Sequence, residues 1–132
     1  MSEKKQIMLF EDEETTQELM KKRLTRRGYE VHIASSGETG LAILEELKDS
    51  IDVILMDLQM PGLSGRDTTK LILENPELSH IPIIAVSAHI DYREKEALDQ
   101  LGFHSTFFKP VDFDRLNRTL THVFAEKASK TG

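Results

Sequence analysis

The 132-residue sequence contains no cysteine. That absence excludes a disulfide framework, a thiolate metal site and a cysteine nucleophile together. No apolar run approaches the roughly 18 residues that a membrane span needs, and no apolar stretch follows a basic amino terminus as in a secretion signal. These absences predict a cytoplasmic protein without a membrane partner. An excess of positive charge is missing too: 17 basic against 23 acidic residues leave a formal charge of -6. Such a balance opposes attraction to a polyanion and argues against direct nucleic-acid binding. The five histidines, His32, His80, His89, His104 and His122, show no short metal-binding spacing such as H-E-x-x-H, so each reads as a surface or strand-flank residue. Repeats, low-complexity tracts and linkers are absent as well. One domain is therefore expected over residues 1–127, with the small polar residues 128–132 as a disordered tail.

What is present is an alternation. Short apolar runs (Ile7 to Phe10, Val31 to Ala34, Ile51 to Met56, Ile83 to Val86 and Thr106 to Phe108) are separated by stretches with helical periodicity. The third and fourth runs are almost wholly apolar, as central parallel strands covered on both faces must be. Leu19, Met20 and Leu24 fall at helical spacing before a stop at Gly28. Ser35 and Glu38 offer a capping box ahead of Leu41, Leu44 and Leu47. Helices are expected over 65–74 and 91–101, the latter with a thin apolar face. After Pro110, which would open the last helix, Phe113, Leu116, Leu120, Val123 and Phe124 form a clear stripe. Five strands and five helices in alternation imply an α/β fold, a doubly wound parallel sheet with right-handed crossovers, of which 2-1-3-4-5 is a common strand order. Ligands in such sheets bind beyond the carboxyl ends of the strands, where the order reverses.

The residues at those ends carry the chemistry. Glu11, Asp12 and Glu13 follow the first strand, Asp57 the third, Ser87 the fourth and Lys109 the fifth. Each alone is bland: Asp57 ahead of Met-Pro-Gly can be a turn residue, the acidic run a first helical turn, Ser87 a helix cap and Lys109-Pro110 a strand exit. Glu13 and Glu14 do read as an acidic helix start. Together they change meaning. Three carboxylates held close either raise a carboxylate pKa or recruit a hard divalent cation, and Mg²⁺ suits a site without sulfur or imidazole. A carboxylate, a metal, a lysine and a hydroxyl form an environment for phosphoryl transfer, in which Asp57 is the nucleophile, Mg²⁺ and Lys109 neutralise charge and Ser87 donates a hydrogen bond.

The segments "MLFEDEE", "MDLQMPGLSG", "IPIIAVSAH" and "FFKPV", in this order and spacing, resemble the receiver domain of two-component response regulators, over about Gln6 to Phe124. The resemblance implies a flavodoxin-like (βα)5 fold and a signalling phosphoacceptor rather than a turnover enzyme, with only self-phosphorylation and self-dephosphorylation. It implies that Asp57 accepts a phosphoryl group from a histidine of a sensor kinase or histidine phosphotransfer protein. Asp12, Asp57 and the backbone carbonyl of Gln59 would ligate Mg²⁺, with Glu11 acting through water. Ser87 matches the switch hydroxyl, Lys109 the lysine that pairs with the phosphoryl group, and Gln59 and His89 the positions that tune its hydrolysis. Motion of Ser87 is expected to pull the 87–91 loop and shift the face made by the fourth helix, fifth strand and fifth helix. Two residues depart from the pattern: Glu11 stands where Asp is commoner, and Thr106 where an aromatic residue usually switches rotamer. Phe108, on the same face as Thr106, is expected to pack in the core.

Three other functions fit less well. A Mg²⁺-dependent phosphohydrolase with an aspartyl-phosphate intermediate generally needs a second Asp two residues after the nucleophile, where this chain has Gln59. A flavin or nucleotide binder would need a phosphate-cradling loop after the first strand, where the chain is acidic. A phosphorylation-independent docking domain would be favoured by loss of the acidic pair, the aspartate or the lysine, and all are present.

Overall fold

The computed structural model describes residues 4–88 and 92–131. Five strands, β1 (Gln6–Phe10), β2 (Glu30–Ala34), β3 (Val53–Asp57), β4 (Ile83–Ser87) and β5 (Ser105–Phe108), alternate with five helices, α1 (Glu14–Arg26), α2 (Gly37–Leu47), α3 (Gly65–Glu74), α4 (Tyr92–Leu101) and α5 (Phe113–Thr131). All strands are parallel, in the order β2-β1-β3-β4-β5. The order reverses between β1 and β3, so the carboxyl ends of these two strands border the crevice that such a reversal opens.

Two cores follow from strand alternation. Met8, Phe10, Ile54, Met56, Ile83 and Ala85 face Leu44 of α2, Ile72 of α3 and Leu98 of α4. On the other side Ile7, Leu9, Val53, Leu55, Ile84 and Val86 meet Met20 and Leu24 of α1 and Leu116, Leu120 and Val123 of α5. Every residue of β3 and β4 is buried, which is why those runs carry no apolar-polar alternation. Burying each large aliphatic side chain contributes about 1.5–3 kcal/mol. The rigid sheet then holds the loops at its carboxyl end.

Local chemistry adjusts several boundaries. β3 begins at Val53 rather than Ile51, because Asp52 is engaged outside the ladder: its carboxylate accepts from the Gln6 N–H at 2.8 Å. The α2 cap is Ser36, not Ser35; Ser36 has extended dihedrals and its Oγ accepts from the Thr39 N–H. Ser35 instead accepts from Gln17 Nε2. Leu19 is half exposed, leaving Met20 and Leu24 as the inward residues of α1. Gly28, with φ of +91°, ends α1 as expected, its N–H bonded to Thr25 and that of Tyr29 to Leu24. Pro110 does not open α5; the helix starts at Phe113, and Asp112 caps it by accepting from the Arg115 N–H. Helix α5 continues through Thr131, past the expected domain end at 127, because Ala, Glu and Lys sustain a helix and no proline intervenes.

Phe108 is 40 % exposed and does not belong to the core, whereas Phe107 is buried. Alternation does place Phe108 on the face of Thr106, but it is the last residue of an edge strand. The helix beside it covers little: among the described side chains of α4 only Leu98 is buried. That agrees with the thin apolar face read from the sequence.

Candidate functional site

The acidic residues after β1 and the last residue of β3 meet at the carboxyl end of the sheet. Donor atoms of Glu11, Asp12 and Asp57 all lie within 4.8 Å of one another. Glu11 and Asp57 are buried, at 2 % and 3 % exposure, and Asp12 faces solvent. Backbone pairing sets these positions. The Glu11 N–H bonds the Ala34 carbonyl of the edge strand, Asp57 pairs with Val86 in the ladder, and the Lys109 N–H bonds the Ser87 carbonyl at 2.8 Å. Ser87, 1 % exposed, therefore ends the strand beside Asp57, and Lys109 follows the strand beyond it.

Lys109 Nζ donates to Glu11 Oε1 at 2.9 Å and to Asp57 Oδ2 at 3.5 Å. The second carboxylate oxygen of each acid is held by backbone. Asp57 Oδ1 accepts from the Gln59 N–H at 3.0 Å, and Glu11 Oε2 from the Glu13 N–H at 3.1 Å. Asp57 thus also makes the turn bond expected of an aspartate before Met-Pro-Gly, and the same bond fixes its carboxylate plane. Gly65 lets α3 approach this strand exit, since a Cβ there would lie 2.2 Å from the Asp57 carbonyl oxygen.

One ammonium among three carboxylates leaves the site short of positive charge. Burial raises the Glu11 pKa, and the neighbouring Asp57 charge adds to this; the hydrogen bonds from Lys109 and the Glu13 amide offset only part of it. For Lys109 burial acts downward, but the hydrogen bond to Glu11 and the charges of Asp57 and Glu11 outweigh it and raise its pKa. The cation is favoured and an anion is disfavoured, as expected where negative charge is in excess. A hard divalent cation fits this donor set, which is all oxygen.

The structure therefore gathers Glu11, Asp12, Asp57, Ser87 and Lys109, all picked out from the sequence. His89 lies outside the described residues. Gln17 was not picked out: its Nε2 donates to the Glu11 carbonyl at 2.6 Å and to Ser35 Oγ, tying α1 to the segments that follow β1 and β2. A glutamine in the second turn of a helix carries no sequence signal for that role.

The family profile described as the response regulator receiver domain matches residues 7–121. Hybrid signal transduction histidine kinase I of Dictyostelium discoideum is 39% identical over 134 residues, which is 95% of this chain but 8% of that protein. Polar-differentiation response regulator DivK of Brucella ovis is 34% identical over 116 residues, covering 88% of this chain and 93% of the relative. The receiver domain of the sensor histidine kinase PA1611 from Pseudomonas aeruginosa PAO1, solved with a magnesium ion coordinated in the active site cleft, superposes with a TM-score of 0.80. It is 27% identical, and the match covers 93% of this chain and 99% of that one.

Proposed function

The chain belongs to the response regulator receiver domain family, the phosphoacceptor modules of two-component signalling, and on that premise we propose that Asp57 is its phosphoacceptor. The observation that carries this reading is the buried Asp57 carboxylate held between the Gln59 N–H and the Lys109 ammonium, beside Glu11 and Asp12. A carboxylate oxygen of Asp57 attacks phosphorus, the P–N bond to a donor imidazole breaks, and its electron pair stays on the ring nitrogen. The Gln59 amide orients the nucleophile. Lys109 exchanges its contact with Glu11 for a phosphoryl oxygen, and the Ser87 hydroxyl donates to another.

Asp12, Asp57 and the Gln59 carbonyl would hold Mg²⁺, with Glu11 acting through water. When bound, the metal supplies charge neutralisation for the transferring phosphoryl group. The donor is a histidine kinase or a histidine phosphotransfer protein. An apolar cleft of about 390 Å³ adjoins Lys109, between α1 and the segment leading into α5, and includes Leu19, Met20, Ala88, Pro110 and Phe113. Its position supports partner docking next to the nucleophile. Readout runs from Ser87 toward α4, β5 and α5. The exposed Phe108 and the thinly anchored α4 support that route, since few buried contacts mean low local stability. Among the described residues no helix is long and apolar enough to cross a membrane.

Intact-mass spectrometry after incubation with a small acyl-phosphate donor tests the proposal. A single phosphoryl adduct that requires Mg²⁺ and is lost in Asp57→Asn is expected. An adduct that persists in Asp57→Asn would place the chemistry on another residue.

A further inference from the structure

Helix α1 changes character along its length. Glu14 and Glu18 lie in its first half, whereas the seven residues 21–27 hold five cations and no acid, in a chain whose formal charge is -6. Part of that positive charge has a structural use. Arg27 pairs with Asp114 at 3.2 Å, and Arg23 stacks over the Phe113 ring at 4.4 Å, so both are committed to α5. A basic last turn also complements the helix dipole, which gives Arg26 a partial role. Lys21 and Lys22 precede that turn. Together with Arg26 they are exposed and form no ion pair among the described residues, although Glu18 borders the same shallow groove.

These cations continue the cleft beside Lys109. Leu19, half exposed, lines that cleft together with Phe113. Lys22 and Arg26 follow Leu19 by three and seven residues, which puts them on its stripe of the helix. At a rise of 1.5 Å per residue Arg26 stands about 10 Å beyond Leu19, two turns further along α1. One face therefore runs from the lysine beside Asp57, through apolar side chains, to cations without an intramolecular partner.

We propose that this face selects its phosphoryl donor by charge. Apolar side chains of a donor helix enter the cleft, and carboxylates about two turns beyond them meet Lys22 and Arg26. The proposal rests on Asp57 being the phosphoacceptor. A protein helix fits the face better than a polyanion does, because Leu19 and Phe113 offer apolar contact and the acidic remainder of the chain repels a uniformly negative surface. Charge pairs at such a rim speed encounter and reject donors of like charge more than they add affinity.

Rapid-quench phosphotransfer tests this. The probes are two versions of one purified histidine phosphotransfer protein, with Glu or with Lys at two exposed positions about two helical turns from the side chains that enter the cleft. The native chain should accept from the Glu probe roughly tenfold faster or more at low salt, the scale on which complementary charge alters encounter rates, and the difference should shrink as salt rises. Lys22→Glu combined with Arg26→Glu should invert the preference, and a gain of rate with the Lys probe cannot come from misfolding. Lys70→Glu, on the exposed side of α3 across the sheet, should keep the native preference. Labelling by a small acyl-phosphate donor needs Asp57 but no docking, so its absence from the native chain would remove the phosphoacceptor reading and this proposal with it. Labelling without transfer from either probe, equal rates from both, or a preference that survives the double reversal would overturn charge selection alone. Should the double reversal spare transfer but abolish co-sedimentation with phosphatidylserine vesicles, the face would belong to a lipid surface and the proposal would fall.

Discussion

Replacing Lys109 by Met removes the ammonium while keeping most of the side chain's volume. In the structure that ammonium serves Glu11 and Asp57, whose side chains are 2% and 5% exposed, while its own side chain is 25% exposed. Without it two carboxylates face each other in a nearly dry site. Removing one partner of a buried pair costs about 3–5 kcal/mol, and water access to Lys109 argues for the lower end, about 3 kcal/mol. Urea unfolding in Mg²⁺-free buffer is the assay. At an m-value of about 2 kcal/mol/M the midpoint should fall by about 1.5 M with the slope unchanged. Mg²⁺ should then stabilise Lys109→Met more than the native protein, because the ion supplies the missing positive charge. A loss below about 1 kcal/mol would refute the reasoning. So would an equal loss in a Glu11→Gln background, which would assign the effect to packing rather than charge.

Three further outcomes follow from the same structure. The raised Glu11 pKa means that its ionisation opposes folding at neutral pH, and that this opposition fades as pH falls through the folded pKa toward the ordinary 4.5. Without Mg²⁺, Glu11→Gln should therefore be more stable than the native chain at pH 7, and the advantage should shrink toward pH 4.5 in parallel urea titrations. Gly65→Ala places a methyl group 2.2 Å from the Asp57 carbonyl oxygen and 2.6 Å from Leu58 Cα; it should cost about 1–3 kcal/mol and slow acyl-phosphate labelling, and normal stability with normal labelling would show that the turn yields freely. Thr106 Oγ1 is buried and has no hydrogen-bond partner among the described residues, so Thr106→Val should raise stability by about 1 kcal/mol, and a lower thermal midpoint would show that the hydroxyl is satisfied.

The polar cluster at the carboxyl end of the sheet was legible because each member directly follows, or itself ends, an apolar run, and a parallel sheet collects such positions at one edge. Glu11, Asp57, Ser87 and Lys109 needed no knowledge of side-chain packing to be grouped. Phe108 was misread because alternation gives the face of a strand residue but not what covers that face. Whether α4 reaches the end of β5 depends on how the helix packs. Ser36 displaced Ser35 as the α2 cap for a similar reason: both serines suit the role, and the approach of Gln17 from α1 engages Ser35 instead. The histidines show the limit most plainly, since His104 and His122 lie eighteen positions apart and only the packing of α5 against the sheet brings both to Glu126.

The order of apolar runs and helical stretches therefore determined by itself the alternating α/β architecture and the polar groups at the strand ends. Strand period, burial on both faces and the residues that punctuate a chain are local properties, and sequence records them directly. Tertiary structure alone decided that Lys109 bridges Glu11 and Asp57, that Gln17 ties α1 to the crevice and that two distant histidines share one carboxylate. Those contacts join segments separated by many residues, and their distances are set by how helices seat on a twisted sheet, which no local pattern encodes.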